Sequence, residues 1–345
     1  MTDPAIKDRK RKLLPVICLA ISMGLLLAGL WPFRFRPTNN VHWIHGQSWL
    51  RFDKYGIAYG KEPLFAPGGA IDLARSFTIR MEVLPREEPS GSIPRILSAH
   101  DDEGRELFFL GQWRDELILR ILEEERFFHL RYRETGAGGL QKDAQRDIVV
   151  RSDKNVLTLF VDGAPVRTKP GVDFSLLSDR RGPAWMILGN SPSGEYPWRG
   201  DLLSLSIFPK ALSPEEILST GSDSPVRYNL VIPSVFRAPA KGMLVPPWRI
   251  QEYNRSFLKD VFVNILGFIP FGFAMCAWAR KDGERKNATV MGIALLLGAG
   301  ISLFIELLQV YLPTRDSSLT DVLNNILGTY IGARLFRTTH RILMD

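Results

Sequence analysis

Hydrophobic residues are spread very unevenly along this chain. An unbroken apolar run from Leu13 to Phe33 follows the basic residues Lys7, Arg9, Lys10, Arg11 and Lys12, and three further apolar segments, roughly Val261 to Ala279, Ala288 to Leu312 and Leu319 to Phe336, lie towards the other end. At 1.5 Å per residue such runs have the length of membrane-crossing helices, the last being short and ending through the snorkelling side chains Arg334 and Arg337. Between them, from about His45 to Ile217, the period changes to two. Phe77, Ile79, Met81 and Val83 alternate with Thr78, Arg80 and Glu82, and Leu157, Leu159 and Val161 with Thr158 and Phe160. Short alternating runs broken by Gly, Pro, Asp and Ser clusters predict an all-β domain. Asp162-Gly163 predicts a type I′ hairpin turn. Glu123-Glu124-Glu125, bracketed by the runs Leu117 to Leu122 and Phe127 to Tyr132, predicts a solvated turn rather than a metal site. Residues 221–255 are proline-rich and lack periodicity, which predicts a linker.

Polar residues inside the apolar segments are also patterned. Asp260-Val261-Phe262-Val263-Asn264-Ile265-Leu266-Gly267 recurs as Asp321-Val322-Leu323-Asn324-Asn325-Ile326-Leu327-Gly328. In each copy Asp, Asn and Gly fall at i, i+4 and i+7, one stripe of a helix. Ser302, Glu306 and Gln309 repeat that spacing on the segment between. Ordinary helix chemistry covers part of this, since Asp suits a helix N-terminus and Gly lets membrane helices approach closely. It leaves Glu306 unexplained. A carboxylate held ionised and alone at the bilayer centre costs at least about 2.5 to 3.5 kcal/mol, so it marks a candidate functional site. Counted from the helix ends, Asn264, Glu306 and Asn325 each lie on the order of 10 Å deep. Asp260, Arg315 and Asp321 ring the mouth, and Arg315 is the expected partner of Glu306, with Pro313 breaking the helix so that the loop folds back.

Composition changes the picture in two places. The net charge of +7 first suggests nucleic acid, but Lys and Arg cluster beside the apolar runs, which fits a membrane surface and no nucleic acid. Basic residues in the connector Arg280 to Lys286 and at Arg334, Arg337 and Arg341 match the basic N-terminus. By the positive-inside rule both termini are then cytoplasmic, the chain crosses four times, and the β domain is extracytoplasmic. No clean Ala-x-Ala site follows the first run, and Trp31-Pro32-Phe33 reads as an interfacial anchor, so this run is expected to stay as a transmembrane helix. Cys18 and Cys276 both lie in apolar runs, leaving the β region without a disulfide and the redox compartment unreadable. The expected plan is a basic N-terminus (1–12), transmembrane helix 1 (13–33), a β domain (45–220), a linker (221–255), transmembrane helices 2–4 (256–337) and a tail (338–345).

Two segments resemble known families. Trp198-Arg199-Gly200-Asp201-Leu202-Leu203-Ser204-Leu205-Ser206-Ile207-Phe208, followed by Lys210-Ala211-Leu212-Ser213-Pro214-Glu215-Glu216-Ile217, resembles the closing motif of concanavalin A-like (LamG-type) lectin/glucanase domains. Phe77 to Val83 and the Leu159-Phe160-Val161-Asp162-Gly163 stretch support it. The resemblance implies an antiparallel jelly-roll sandwich of a kind that often binds glycans. The catalytic Glu-x-Asp-x-x-Glu strand of the glucanase branch has no counterpart. Trp113, Trp185 and Trp198 are candidates for stacking on sugars, with core packing as the alternative for each. Second, Asp260-x-x-x-Asn264-Ile-Leu-Gly-Phe-Ile-Pro-Phe-Gly, Glu306-x-x-Gln309, Arg315-x-Ser317 and Asp321-x-x-x-Asn325-x-x-Gly328-x-x-x-Gly332 resemble the VanZ-like family of bacterial membrane proteins, named for a protein linked to teicoplanin resistance. Trp31-Pro32-Phe33 resembles that family's segment after its first span. The β domain is then an insertion between the first two helices.

The resemblance implies a bacterial cytoplasmic-membrane location and an antibiotic-resistance or envelope-stress role, and carries over no catalytic residue. It nominates Asn264, Glu306, Gln309, Arg315, Asp321 and Asn325 as an intramembrane polar site, supported by Asp260, Ser302, Gly267 and Gly328. The leading expectation is binding of an envelope lipid or lipid-linked glycan head group in the outer leaflet, without metal or cofactor. Three readings compete: an integral-membrane enzyme with Glu306 or Asp321 as general base, a transporter built from parallel repeats, and an anchor displaying a lectin-like domain. The oligomeric state is not legible.

Overall fold

The computed structural model describes residues 4–344 apart from 45, 68, 74, 127–128, 173, 175–176, 178–181, 220–224, 240–241, 248–254, 281–285 and 314. The chain forms two compact units, one of residues 36–241 and one of residues 1–35 with 242–345.

The first unit is a sandwich of two seven-stranded antiparallel sheets. Its strands are β1 (Val41–Trp43), β2 (Leu50–Phe52), β3 (Ala58–Gly60), β4 (Phe77–Pro85), β5 (Arg95–His100), β6 (Glu106–Trp113) and β7 (Glu116–Arg126). They continue as β8 (His129–Gly138), β9 (Arg146–Asp153), β10 (Val156–Val161), β11 (Ala164–Pro170), β12 (Trp185–Leu188), β13 (Gly200–Phe208) and β14 (Leu230–Val231). One sheet runs β1-β2-β13-β4-β9-β10-β11 and the other β14-β3-β12-β5-β6-β7-β8. The alternation seen in sequence is what fills the space between them. Ile79, Met81 and Val83 of β4, Leu157 and Leu159 of β10, and Leu117, Leu119 and Ile121 of β7 all enter one buried cluster. This is the expected jelly-roll-like sandwich. Asp162 and Gly163 both take positive φ, 52° and 77°, and join β10 to β11 as the type I′ signal predicts. The closing motif is β13 followed by α2 (Pro214–Leu218), which starts with a capping box between Ser213 and Glu216 and buries Ile217.

Two expectations are corrected here. The acidic run Glu123 to Glu125 is not a turn but the end of β7, where Glu123 forms an ion pair with Arg133 of β8. Cross-strand charge pairing holds it in the ladder; the hairpin tip, with Phe127, falls outside the described residues. The proline-rich stretch 221–255 also does more than connect. β14 extends the second sheet, the Tyr228 hydroxyl donates to the Leu205 carbonyl (2.7 Å), and Phe236 packs edge-on to Tyr55.

The second unit is helical: α1 (Pro4–Leu30), α3 (Arg255–Ala279), α4 (Asn287–Gln309) and α5 (Leu319–Met344). Among the described residues three helices are long and apolar enough to cross a membrane: α1 over Leu13–Leu30, α3 over Phe257–Ala279, and α4. α5 is long enough, but Asp321, Asn324, Asn325, Arg334 and Arg337 keep it less apolar, so composition supports three crossings where four were expected. The connector residues 281–285 lie outside the described set.

α3 and α5 run side by side in the same direction at very close range. A Cβ on Gly328 or Gly332 would collide with the carbonyl oxygens of Ile265 and Ile269, and one on Gly272 with that of Thr329. Small residues are what permit two backbones to meet this way in a membrane. α4 is antiparallel to α5, with Ser302 opposite Asn325 and Gly298 opposite Thr329. α1 closes the unit through the Cys18 thiol on the Ala274 carbonyl (3.4 Å) and through Gly29 against Ile305.

Candidate functional site

The polar stripes meet at the N-terminal end of α5. Glu306, three residues before the end of α4, is 2% exposed, and its Oε2 accepts the Ser318 backbone N–H at 2.7 Å. Ser318 is the residue before α5, and its hydroxyl accepts the Thr320 N–H at 3.1 Å. A carboxylate is thus seated on the unsatisfied N–H groups and positive end of a helix, which offsets part of the cost of burying it. The expected Glu306–Arg315 contact pair is not formed. Arg315 is exposed and its Nε reaches the Trp31 carbonyl at the end of α1 (3.4 Å), so it acts on Glu306 only through space.

The two copies of the repeat are not joined like to like. The Asn264 side chain of α3 lies beside the Asp321 carboxylate of α5, with Asp260 close enough to repel that carboxylate. Asn325, 4% exposed, donates instead to Ser302 of α4 (2.8 Å). Glu306 and Asn325 therefore do not share one layer. Glu306 and Asp321 form an outer tier, near which the Asn264 side chain lies, and Ser302 with Asn325 a second tier one helical turn further in. Gln309 donates to the Gly29 carbonyl (2.8 Å), tying α4 to α1. Gly328 is the contact point with α3, whereas Gly267 faces Leu25 of α1 at 3.8 Å.

A strap that no sequence signal announced lies against this end of the unit. Leu244 donates to the buried Ser317 hydroxyl (3.0 Å), Val245 to the Ser317 carbonyl (2.9 Å), and Leu319 returns a bond to the Val245 carbonyl (3.0 Å). Ser318 could have been found, because Ser318-x-x-Asp321 before an apolar run is a capping signature. Its role as the Glu306 partner could not, since a backbone N–H leaves no mark in sequence. Thr320 Oγ1, Asn324 Nδ2 and Asn325 Oδ1 are buried polar atoms of the same helix end with no hydrogen-bond partner among the described residues. No group of three or more metal-binding side chains occurs among the described residues.

In the β unit the three candidate tryptophans separate. Trp198 is 1% exposed, donates its indole N–H to Gln112 Oε1 (2.9 Å) and packs against Phe52. Its ring faces belong to the core, which corrects its candidacy for sugar stacking. Trp185 is half-buried and stacks on His100 with ring centroids 6.1 Å apart. Trp113, half-buried at the end of β6, has the Arg114 guanidinium 6.0 Å from its ring.

Residues 202–342 match the VanZ/LLP1 family, and residues 62–218 match the concanavalin A-like lectin/glucanases superfamily. No curated protein matches the chain. Among solved structures it is similar to a native heptameric SAP-like pentraxin from Limulus polyphemus (13% identity, 58% of this chain and 90% of that chain, TM-score 0.41). It is also similar to the Ruminococcus gnavus IT-sialidase CBM40 bound to alpha2,3 sialyllactose (18% identity, 46% of this chain and 91% of that chain, TM-score 0.35). The chain thus joins a VanZ-like membrane region to a concanavalin A-like lectin/glucanase domain.

Proposed function

We propose that this protein binds the polar head group of an envelope lipid or lipid-linked glycan between α3, α4 and α5, with the β domain on the outer side of the bacterial cytoplasmic membrane as a glycan-binding partner domain. The observation that carries this reading is Glu306: a carboxylate 2% exposed, within a helix apolar enough to cross a membrane, held on one oxygen by Ser318 and flanked by Asp321. A group so costly to bury is not retained for packing alone. The basic residues at the N-terminus, in the connector after α3 and along the end of α5 support an orientation with α5 as the fourth crossing and the polar end of the helices outward.

Native mass spectrometry of the full-length protein in detergent tests the reading. Wild type is expected to carry a co-purifying lipid, and Glu306→Gln, which keeps the shape and an acceptor for Ser318, is expected to lose it while remaining folded. A lipid-free wild type, or identical lipid retention in the variant, overturns the reading and leaves the helices as an anchor.

A further inference from the structure

Resting on that reading, the charges and orphaned groups of the site narrow the ligand's chemistry. The charges that act on Glu306 and Asp321 are each other, Asp316 and, at Asp321, Asp260, against Arg315, an excess of carboxylates. A phosphate placed among them would add like charge in a low-dielectric setting where repulsion is strong. One tier further in, Asn325 spends its amide N–H on Ser302 and leaves Oδ1, a buried acceptor, with no donor among the described residues. An acceptor orphaned in a membrane-embedded helix costs free energy until a donor arrives. Glu306 and Asp321 with an unpartnered amide oxygen beneath them form a site that offers acceptors and negative charge.

We infer that this site takes the primary ammonium group of a lipid head group, its N–H bonds directed to Glu306, Asp321 and Asn325 Oδ1. A primary ammonium brings three donors and one positive charge. A quaternary ammonium brings the charge with no donor, and a glycerol head group brings hydroxyl donors on an anionic lipid.

The test uses full-length protein in detergent, incubated with equal amounts of dioleoyl phosphatidylethanolamine, phosphatidylcholine or phosphatidylglycerol and read by native mass spectrometry. Phosphatidylethanolamine is expected to be retained at least tenfold over the other two, and the preference is expected to vanish in Glu306→Gln and in Asp321→Asn. The second variant, on a less buried side chain, keeps the test decisive if the first fails to fold. Phosphatidylcholine retained as well as phosphatidylethanolamine, or phosphatidylglycerol retained better, overturns the inference. Displacement of phosphatidylethanolamine by free ethanolamine at equal concentration keeps the ammonium and moves its source to a soluble amine. Lipid that is lost in Glu306→Gln but shows no head-group preference overturns this inference alone; no lipid sensitive to either variant overturns the lipid-binding reading as well.

Discussion

At the scale of single residues the structure replaces one electrostatic partner with another. Glu306 rests on a backbone N–H at a helix terminus, not on Arg315. Arg315→Ala is therefore expected to cost no more than about 1 kcal/mol, the range of an exposed interaction, in a thermal melt of the detergent-solubilised protein. A loss of several kcal/mol would restore the contact pair. In the β unit, burial raises the Asp201 carboxyl, but hydrogen bonds from Arg51 and Arg86 outweigh it and hold the group below its ordinary value; burial holds His100 below its own. Both shifts make the folded unit bind fewer protons than the unfolded chain, so stability is lost as pH falls. The loss begins below about 6.5, the ordinary His value, and deepens below about 3.9, that of Asp. Melts of the β unit across pH 8 to 4 are expected to show the first step, and His100→Gln to abolish it. An unchanged melting temperature down to pH 5 would contradict the assignment. Asp201→Asn is expected to cost about 1.5 to 2 kcal/mol, because it weakens the charge-assisted hydrogen bonds from two arginines that, more than a third exposed, can turn to water instead.

At the scale of elements, the helices were legible as apolar runs long enough to cross a bilayer, and most strands because burial on one face imposes a period of two, as in β4 and β10. What was not legible depends on partners remote in sequence. The acidic run of β7 reads as a turn until Arg133 is placed across from it. β14 is two residues within a proline-rich stretch and exists only because β3 offers an open edge. The polar repeat predicted that α3 and α5 correspond, and the helices pack close to the repeat's own register: a Cβ on Gly332 falls between the Ile269 carbonyl and the Phe273 N, around the repeat-equivalent Phe271, and one on Gly328 falls on the Ile265 carbonyl, which points towards the equivalent Gly267. Within that register Asn264 reaches one turn outward to Asp321, and Asn325 turns to Ser302 of α4. The glycines decide it. Gly328→Ala and Gly332→Ala each push a Cβ into backbone that cannot yield, and are expected to destabilise the helical unit by about 1–3 kcal/mol or more. Gly24→Ala, at a position with open space, is the matched control. Equal melts for all three would refute the close α3–α5 contact.

At the scale of the whole molecule, the sandwich should stand alone. Its contacts reach past the closing helix: Asn39 donates to the Pro233 carbonyl (2.8 Å), and Tyr55 meets Phe236. A fragment of residues 36–241 is expected to be soluble, with a β-type circular dichroism spectrum and a cooperative melt, and to melt higher than a fragment of residues 40–222 that lacks β14. Equal melts would mean that the proline-rich segment adds nothing. Alkaline phosphatase fused after Leu212 is expected to be active, and fused after Arg285 inactive; the reverse would turn the polar end of the helices towards the cytoplasm.

The central claim, a head group held inside the helical unit, is tested most directly by where a lipid touches the protein. Full-length protein in vesicles containing a phosphatidylethanolamine with a photoreactive head group would be irradiated, digested and mapped by mass spectrometry. The account predicts label on the peptides carrying Ser302 to Gln309 and Asp321 to Gly328, lost in Glu306→Gln. Label confined to the outward side chains Phe262, Leu296 and Leu323, which are exposed on the helical unit and face lipid in any anchor, and unchanged in the variant, would contradict it.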